Sequence, residues 1–249
     1  MTAGANALLC GDPHGEFAHI LQAAKQFPDC PVVILGDLEL KRPLDVELAK
    51  ISDRVWFIHG NHDADSSDLW ERIADSKLAT RNLHGRVVRL SNGIKVAGLG
   101  GIFRSSVWYP NPKQGVNVSP VYRDRKDHAR STPIGARWRD GPHIKHQATV
   151  YAGDVARLSG KRADVLVTHE ASGYHDFGFE VLSDLARSLR VGVAVHGHQH
   201  DRLDSSKSWA AQGFKSFGVG LRGITSIDVQ GNATVVLAGE QDHLPPGRQ

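Results

Sequence analysis

The chain has 249 residues and carries 30 Lys and Arg against 27 Asp and Glu, a formal net charge of +3 at pH 7. This length can bury a substantial core, while so small a net charge gives no reason of its own to expect a polyanionic partner. Two cysteines, Cys10 and Cys30, exclude a disulfide framework or a four-thiolate zinc site, and no apolar run approaches the ~18 residues needed to cross a bilayer.

The N-terminus also lacks a basic region followed by a long apolar run, so the expectation is a soluble, cytoplasmic protein without a membrane partner. ALLCGD, from residue 7, opens with a short apolar strand. From Glu16 to Phe27, Phe17, Ile20, Leu21, Ala24 and Phe27 recur at helical spacing. VVILGD gives a second strand, Leu44 to Ile51 a second helix, and VWFIHG a third strand. SSDLWERIAD has a Ser/Asp start and one apolar side, which predicts a further helix. This alternation predicts an α/β arrangement with a partly parallel sheet.

Near residue 85 the rhythm changes. RVVRLSNGIKVAGLGG predicts two strands joined at Asn92-Gly93, and GITSIDVQGNATVVLAG a second hairpin turning at Gly231-Asn232. Between them, ADVLVTHE and RVGVAVHGHQH are apolar strands with polar tips, separated by a helix from about Phe179 to Leu189. One domain over residues 1–242 is the simplest organisation, with a polar tail at 243–249 expected to fray.

Five strands end in groups able to bind metals. They are Asp12 and His14 after LLCG, Asp37 after VILG, Asn61, His62 and Asp63 after FIHG, His169 after VLVT, and His198 and His200 after AVHG. Ligands of open α/β sheets bind beyond the carboxyl ends of strands, so five such tips predict one assembled site. Mixed nitrogen and oxygen donors without thiolate suit manganese first, with iron, zinc or cobalt also compatible. Seven donors exceed the needs of one four-coordinate ion, so two divalent ions sharing a carboxylate are the economical reading.

In that order, GDPHG, GDL, GNHD, THE and GHQH resemble the five sequence blocks of the calcineurin-like metallophosphoesterases. The resemblance implies a two-sheet β-sandwich flanked by helices. It also implies that Asp12, His14 and His200 bind one metal, that Asn61, His169 and His198 bind the other, and that Asp37 bridges them. The implied activity is phosphoester hydrolysis, with a metal-bridged hydroxide attacking phosphorus in line. His62 would protonate the leaving oxygen, and Asp63 would orient His62. Many protein phosphatases of the family carry a second Asp three residues after the bridging one. Here Leu40 holds that position, which favours a phosphodiesterase or small-molecule phosphatase.

A stretch from Arg104 to His146 departs from the pattern, with nine Lys/Arg, three Asp/Glu and four Trp or Tyr residues. It is expected to cap the site, with Arg104 neutralising phosphate. The expected partner is a phosphorylated small molecule or nucleotide. Basic and aromatic residues together also suit single-stranded nucleic acid, which keeps a nuclease as an alternative. A non-catalytic binding module on the same fold is a further alternative, disfavoured because His62 and every ligand position are retained. His59 and His196 are expected to be structural, and His175 to line the site. His84, His143, His146 and His243 are expected on the surface or in loops.

Overall fold

The structure, a computed structural model, describes residues 6–111, 119–203 and 205–242. The expected tail, with His243, lies outside the described residues. Strands β1 (Ala7–Cys10), β2 (Val32–Ile34) and β3 (Val55–Phe57) run parallel in one sheet. Strands β4 (Arg86–Arg89), β5 (Lys95–Leu99), β6 (Val165–Thr168), β7 (Val193–His196) and β8 (Lys215–Gly218) form a second sheet in that order. The chain then returns to the first sheet, where β9 (Ile224–Ile227) pairs antiparallel with β1 and β10 (Ala233–Leu237) with β9. Both hairpins form where expected: β4 and β5 are antiparallel across Asn92-Gly93, and Asp228 N–H donates to the Asn232 carbonyl at 3.1 Å to close the second.

Successive residues of a strand face opposite sides of its sheet, and here both sides are covered. Ala7 and Leu9 of β1, with Val33 of β2, meet Val165, Val167, Val193 and Val195 between the sheets. Leu8, Cys10, Val32 and Ile34 face α1 (Ala18–Gln26) and α2 (Leu44–Glu47), packing on Ile20, Ala24 and Leu44. On the far side, Ala97, Leu166 and Ala194 pack under α5 (Ala152–Leu158) and α6 (Glu180–Leu189). Two mixed sheets back to back, flanked by helices, are the sandwich that was expected. Burial on both faces is why these strands read as continuous apolar runs.

Helix α3 (Ser67–Ala74) starts at Ser66, whose hydroxyl accepts from the Leu69 N–H at 3.2 Å. The helix expected over residues 44–51 is instead split. Leu48 leaves helical geometry (φ −107°, ψ 25°), and a 3-10 turn follows at Ala49–Ile51. The break lets both Leu48 and Ile51 reach the core.

The basic stretch carries α4 (Arg125–Ser131) and packs against α3. The Trp138 and Trp70 rings meet edge to face at 6.4 Å, and Arg139 pairs with Asp75 at 2.7 Å. His146, expected near the surface, is buried: its ring lies 4.5 Å from that of His128, which stacks on Tyr122. Aromatic packing within the stretch is the cause. His84, also expected near the surface, is half-buried and accepts from the Gly100 N–H. Cys10 and Cys30 are both free, the first buried. Among the described residues, no helix is long and apolar enough to cross a membrane.

Candidate metal centre

Because β1, β2 and β3 are parallel, Asp12, Asp37 and Asn61 leave one sheet at the same edge. Strands β6 and β7 bring His169 and His198 from the other sheet in the same way. The His169 Nδ1–H donates to the carbonyl of Leu35 at 2.8 Å and stitches the two edges together. That bond aims Nε2 at Asn61 Oδ1 (3.1 Å) and Asp37 Oδ2 (3.4 Å).

The approach is close enough to require glycine. A Cβ on Gly60 would lie 2.1 Å from Asp37 Oδ1 and 2.6 Å from His169 Cε1, and one on Gly36 (φ +109°) 2.4 Å from His169 Nδ1. Four of the seven expected ligands are held with left-handed backbone: His14 (φ 43°), Asp37 (46°), His198 (64°) and His200 (57°). Non-glycine residues there are strained by about 1–3 kcal/mol each, and such strain gathers at functional sites.

Two sets of ligand atoms result, each with all its atoms within 4.8 Å of one another. One is His14, Asp37 and His200; the other is Asp37, His169 and His198. Asp37 belongs to both. The His14 and His200 Nε2 atoms face each other at 3.1 Å, while Glu39 Oε1 holds the other nitrogen of His14 at 2.6 Å. Asp12 is fully buried; its Oδ2 accepts from the His198 N–H at 2.9 Å, and its Oδ1 has no hydrogen-bond partner. An orphaned carboxylate oxygen beside converging imidazoles is a donor set that fits a divalent cation.

The electrostatics agree. Burial pushes Asp12 up to about 8, with the Asp37 charge adding to it against His169. Burial opposes charge on His169 too, but Asp37 and Asp12 hold it up to about 10. Burial works to raise Asp37, yet His169 outweighs it and keeps that carboxyl well below its usual range. Burial, aided by the His169 charge, pushes His198 down to about 3, leaving a neutral imidazole of the kind that ligates metal. Buried carboxylates thus crowd a pocket whose charge a divalent cation would neutralise.

A family model described as calcineurin-like phosphoesterase matches residues 5–202. The chain belongs to this family. It is a hydrolase acting on phosphoester bonds, in a family whose members use divalent metals. A protein of Haemophilus influenzae described as uncharacterized is 36% identical over 226 residues, covering 90% of this chain and 94% of its own. The crystal structure of TT1561 of Thermus thermophilus shares the fold at 12% identity, with a TM-score of 0.57 over 94% of this chain and 99% of that one.

All seven expected ligand positions of this phosphoesterase come together at the strand edge. The orienting role expected of Asp63 does not fit its contacts. Its carboxylate accepts from the backbone N–H groups of Gly60 (2.8 Å) and Glu39 (2.9 Å). Burial and the Asp37 charge push it up to about 7. The group beside His62 is Asp65, whose Oδ2 lies 2.7 Å from His62 Nδ1. Residues 62–64 form a 3-10 turn, in which positions i and i+3 eclipse. Burial works to lower His62, but the Asp65 hydrogen bond and the Asp37 charge win and raise it.

Glu39 and Glu170 were not foreseen. Glu39 grips His14, and Glu170 holds the Phe103 N–H (3.2 Å) with its other oxygen 3.9 Å from His198 Nε2. Glu39 follows Asp37 by two residues and Glu170 follows His169 directly, but nothing in their spacing marks them. Leu40 lies in the core under α1 and α2. His59 and His196 are buried and structural as expected, bonded to Asn82 (3.1 Å) and Tyr174 (2.6 Å). His175 is buried against Asp201 (3.2 Å) and the His196 ring, and makes no contact with the ligand sets.

Proposed function

We propose that the chain is a dinuclear phosphoesterase acting on phosphorylated small molecules or nucleotides, with Asp37 as the carboxylate shared by two cations. The membership of Asp37 in both ligand sets carries this reading. Asp12, His14 and His200 complete one set, and Asn61, His169 and His198 the other. Manganese suits these nitrogen and oxygen donors, as do iron, zinc and cobalt. Divalent ions held by these residues would supply charge for the phosphoryl oxygens and would lower the pKa of the attacking water.

The chain's own groups do the rest. The His62 side chain is 46% exposed at the rim, so a substrate can reach it. Asp65 holds its Nδ1, leaving Nε2 to donate a proton to the departing oxygen. Glu39 fixes the His14 ring so that Nε2 faces inward. The stretch over 104–146 acts as a cap on one domain spanning residues 1–242.

Purified protein loaded with Mn²⁺ is expected to hydrolyse p-nitrophenyl phosphate or its bis ester, to lose activity in EDTA, and to bind two metals per chain by elemental analysis. Binding of a single ion, or inertness towards both esters, overturns the reading. Faster cleavage of single-stranded DNA or RNA than of either ester would make the enzyme a nuclease.

A further inference from the structure

A cavity of about 460 Å³ has a polar lining of Arg104, Ser105, Ser106, Tyr109 and Lys145. Ile102 and Phe103 complete it, and no carboxylate takes part. Two cations and three hydroxyls around one cavity, without an acid, match the needs of a phosphate: charge and many donors.

Among the described residues, no carboxylate oxygen lies within ion-pair distance of Arg104 or Lys145. The Nε of Arg104 is buried with no hydrogen-bond partner, which leaves a donor in need of an acceptor. Burial lowers Arg104, countered by the charges of Asp65 and Glu170. Asp65 is the residue on His62, and Glu170 the residue beside His198. Phe103, which lines the cavity, donates its N–H to Glu170 Oε1 at 3.2 Å, so the cavity adjoins the reaction centre through Glu170.

We propose that this cavity is a subsite for a second phosphate, so that the preferred substrates are small molecules carrying two phosphate groups. One phosphate would be cleaved at the metals while Arg104 and Lys145 hold the other. The inference rests on the phosphoesterase reading of the adjoining centre. The volume lies within the range of small-molecule pockets. A nucleic acid would instead need a basic groove tracking several successive phosphates.

The test compares fructose 6-phosphate with fructose 1,6-bisphosphate on the Mn²⁺-loaded enzyme. Wild type is expected to favour the bisphosphate by at least tenfold in kcat/KM, mostly through KM. Lys145→Gln and Arg104→Gln should each reduce that preference at least fivefold. Equal use of the two sugars by wild type, or a preference untouched by both substitutions, overturns the proposal. Should wild type cleave no ester at all, the phosphoesterase reading fails on its own. Calorimetry with inorganic phosphate in EDTA then decides the subsite without turnover. Binding by wild type that the Arg104→Gln, Lys145→Gln double variant weakens at least tenfold supports it, and no binding or equal binding refutes it.

Discussion

Asp65 Oδ2 sits 2.7 Å from His62 Nδ1, while Asp63, two residues nearer in the chain, bonds only to backbone N–H groups. The two aspartates should therefore respond differently to the same change. Asp65→Asn removes the charge that orients His62 and raises its pKa, and is expected to lower kcat about tenfold or more, within the range of general acid catalysis. Its thermal stability and metal content should stay near wild type. Asp63→Asn replaces one of two buried acceptors by a donor and is expected to cost about 1–3 kcal/mol. Thermal melting and elemental analysis, run beside kinetics, separate these outcomes; equal loss of kcat with equal loss of stability would contradict the assignment.

Replacing His62 by Gln tests the proton donor directly. Because its side chain lies outside both ligand sets, two metals should remain bound while kcat falls by on the order of 10² to 10⁴. A substrate with an acidic leaving group, such as p-nitrophenol, should suffer least.

Glu39→Gln probes the support behind a ligand. Its carboxylate holds the His14 Nδ1 at 2.6 Å. Loss of such a partner weakens metal affinity by about 10–100-fold. One of the two ions should be affected far more than the other, as read by Mn²⁺ titration with electron paramagnetic resonance.

Gly60→Ala should abolish metal binding with the helices still formed. The added methyl carbon would stand 2.1 Å from Asp37 Oδ1 and 2.3 Å from Asp37 N, so the shared carboxylate has to move. Far-ultraviolet circular dichroism together with metal content checks this. Full occupancy of two ions would show that the loop adapts.

The buried histidines of the basic stretch give a pH dependence of stability. Burial, with the charges of His128, Lys145, Arg104 and His143 facing it, pushes His146 from 6.5 down to about 3. His128 is lowered in the same direction, by burial first and Arg125 second. Between those values the unfolded chain binds more protons than the folded one, so this stability is fully present above pH 6.5 and is lost as the pH falls below it. By pH 5 the loss from His146 is about 2 kcal/mol, equivalent to roughly 4–8 °C in Tm for a chain of this size. Melting curves of wild type and His146→Gln at pH 8 and pH 5 should diverge, with the variant less sensitive to acid. Parallel curves would place the acid sensitivity elsewhere.

Much of this protein was legible in one dimension because its chemistry sits at strand ends. Continuous apolar runs such as VVIL and VLV, each broken by a glycine or threonine and a ligating residue, report a strand buried on both faces and the point where it leaves the core. The five tips, and the glycines that allow them to meet, are local features of composition and spacing. Strand β8 was missed because Lys215 and Gly218 interrupt a run of four residues, too short to show a period. Helices α4, α5 and α7 (Trp209–Gln212), the last of them one turn long, give no amphipathic pattern to read.

The sequence by itself determined which strand ends carry the seven candidate ligands and the family to which the chain belongs. Only the tertiary structure decided which carboxylate serves His62, which glutamates back the imidazoles, and that His146 is interior. Those are contacts set by the turn of a 3-10 segment and by packing between sheets, where neighbours in space lie far apart in the chain, as His14 and His200 do at 186 positions. Spacing along a chain records the local backbone, whereas a hydrogen bond depends on where two distant backbones are brought to rest.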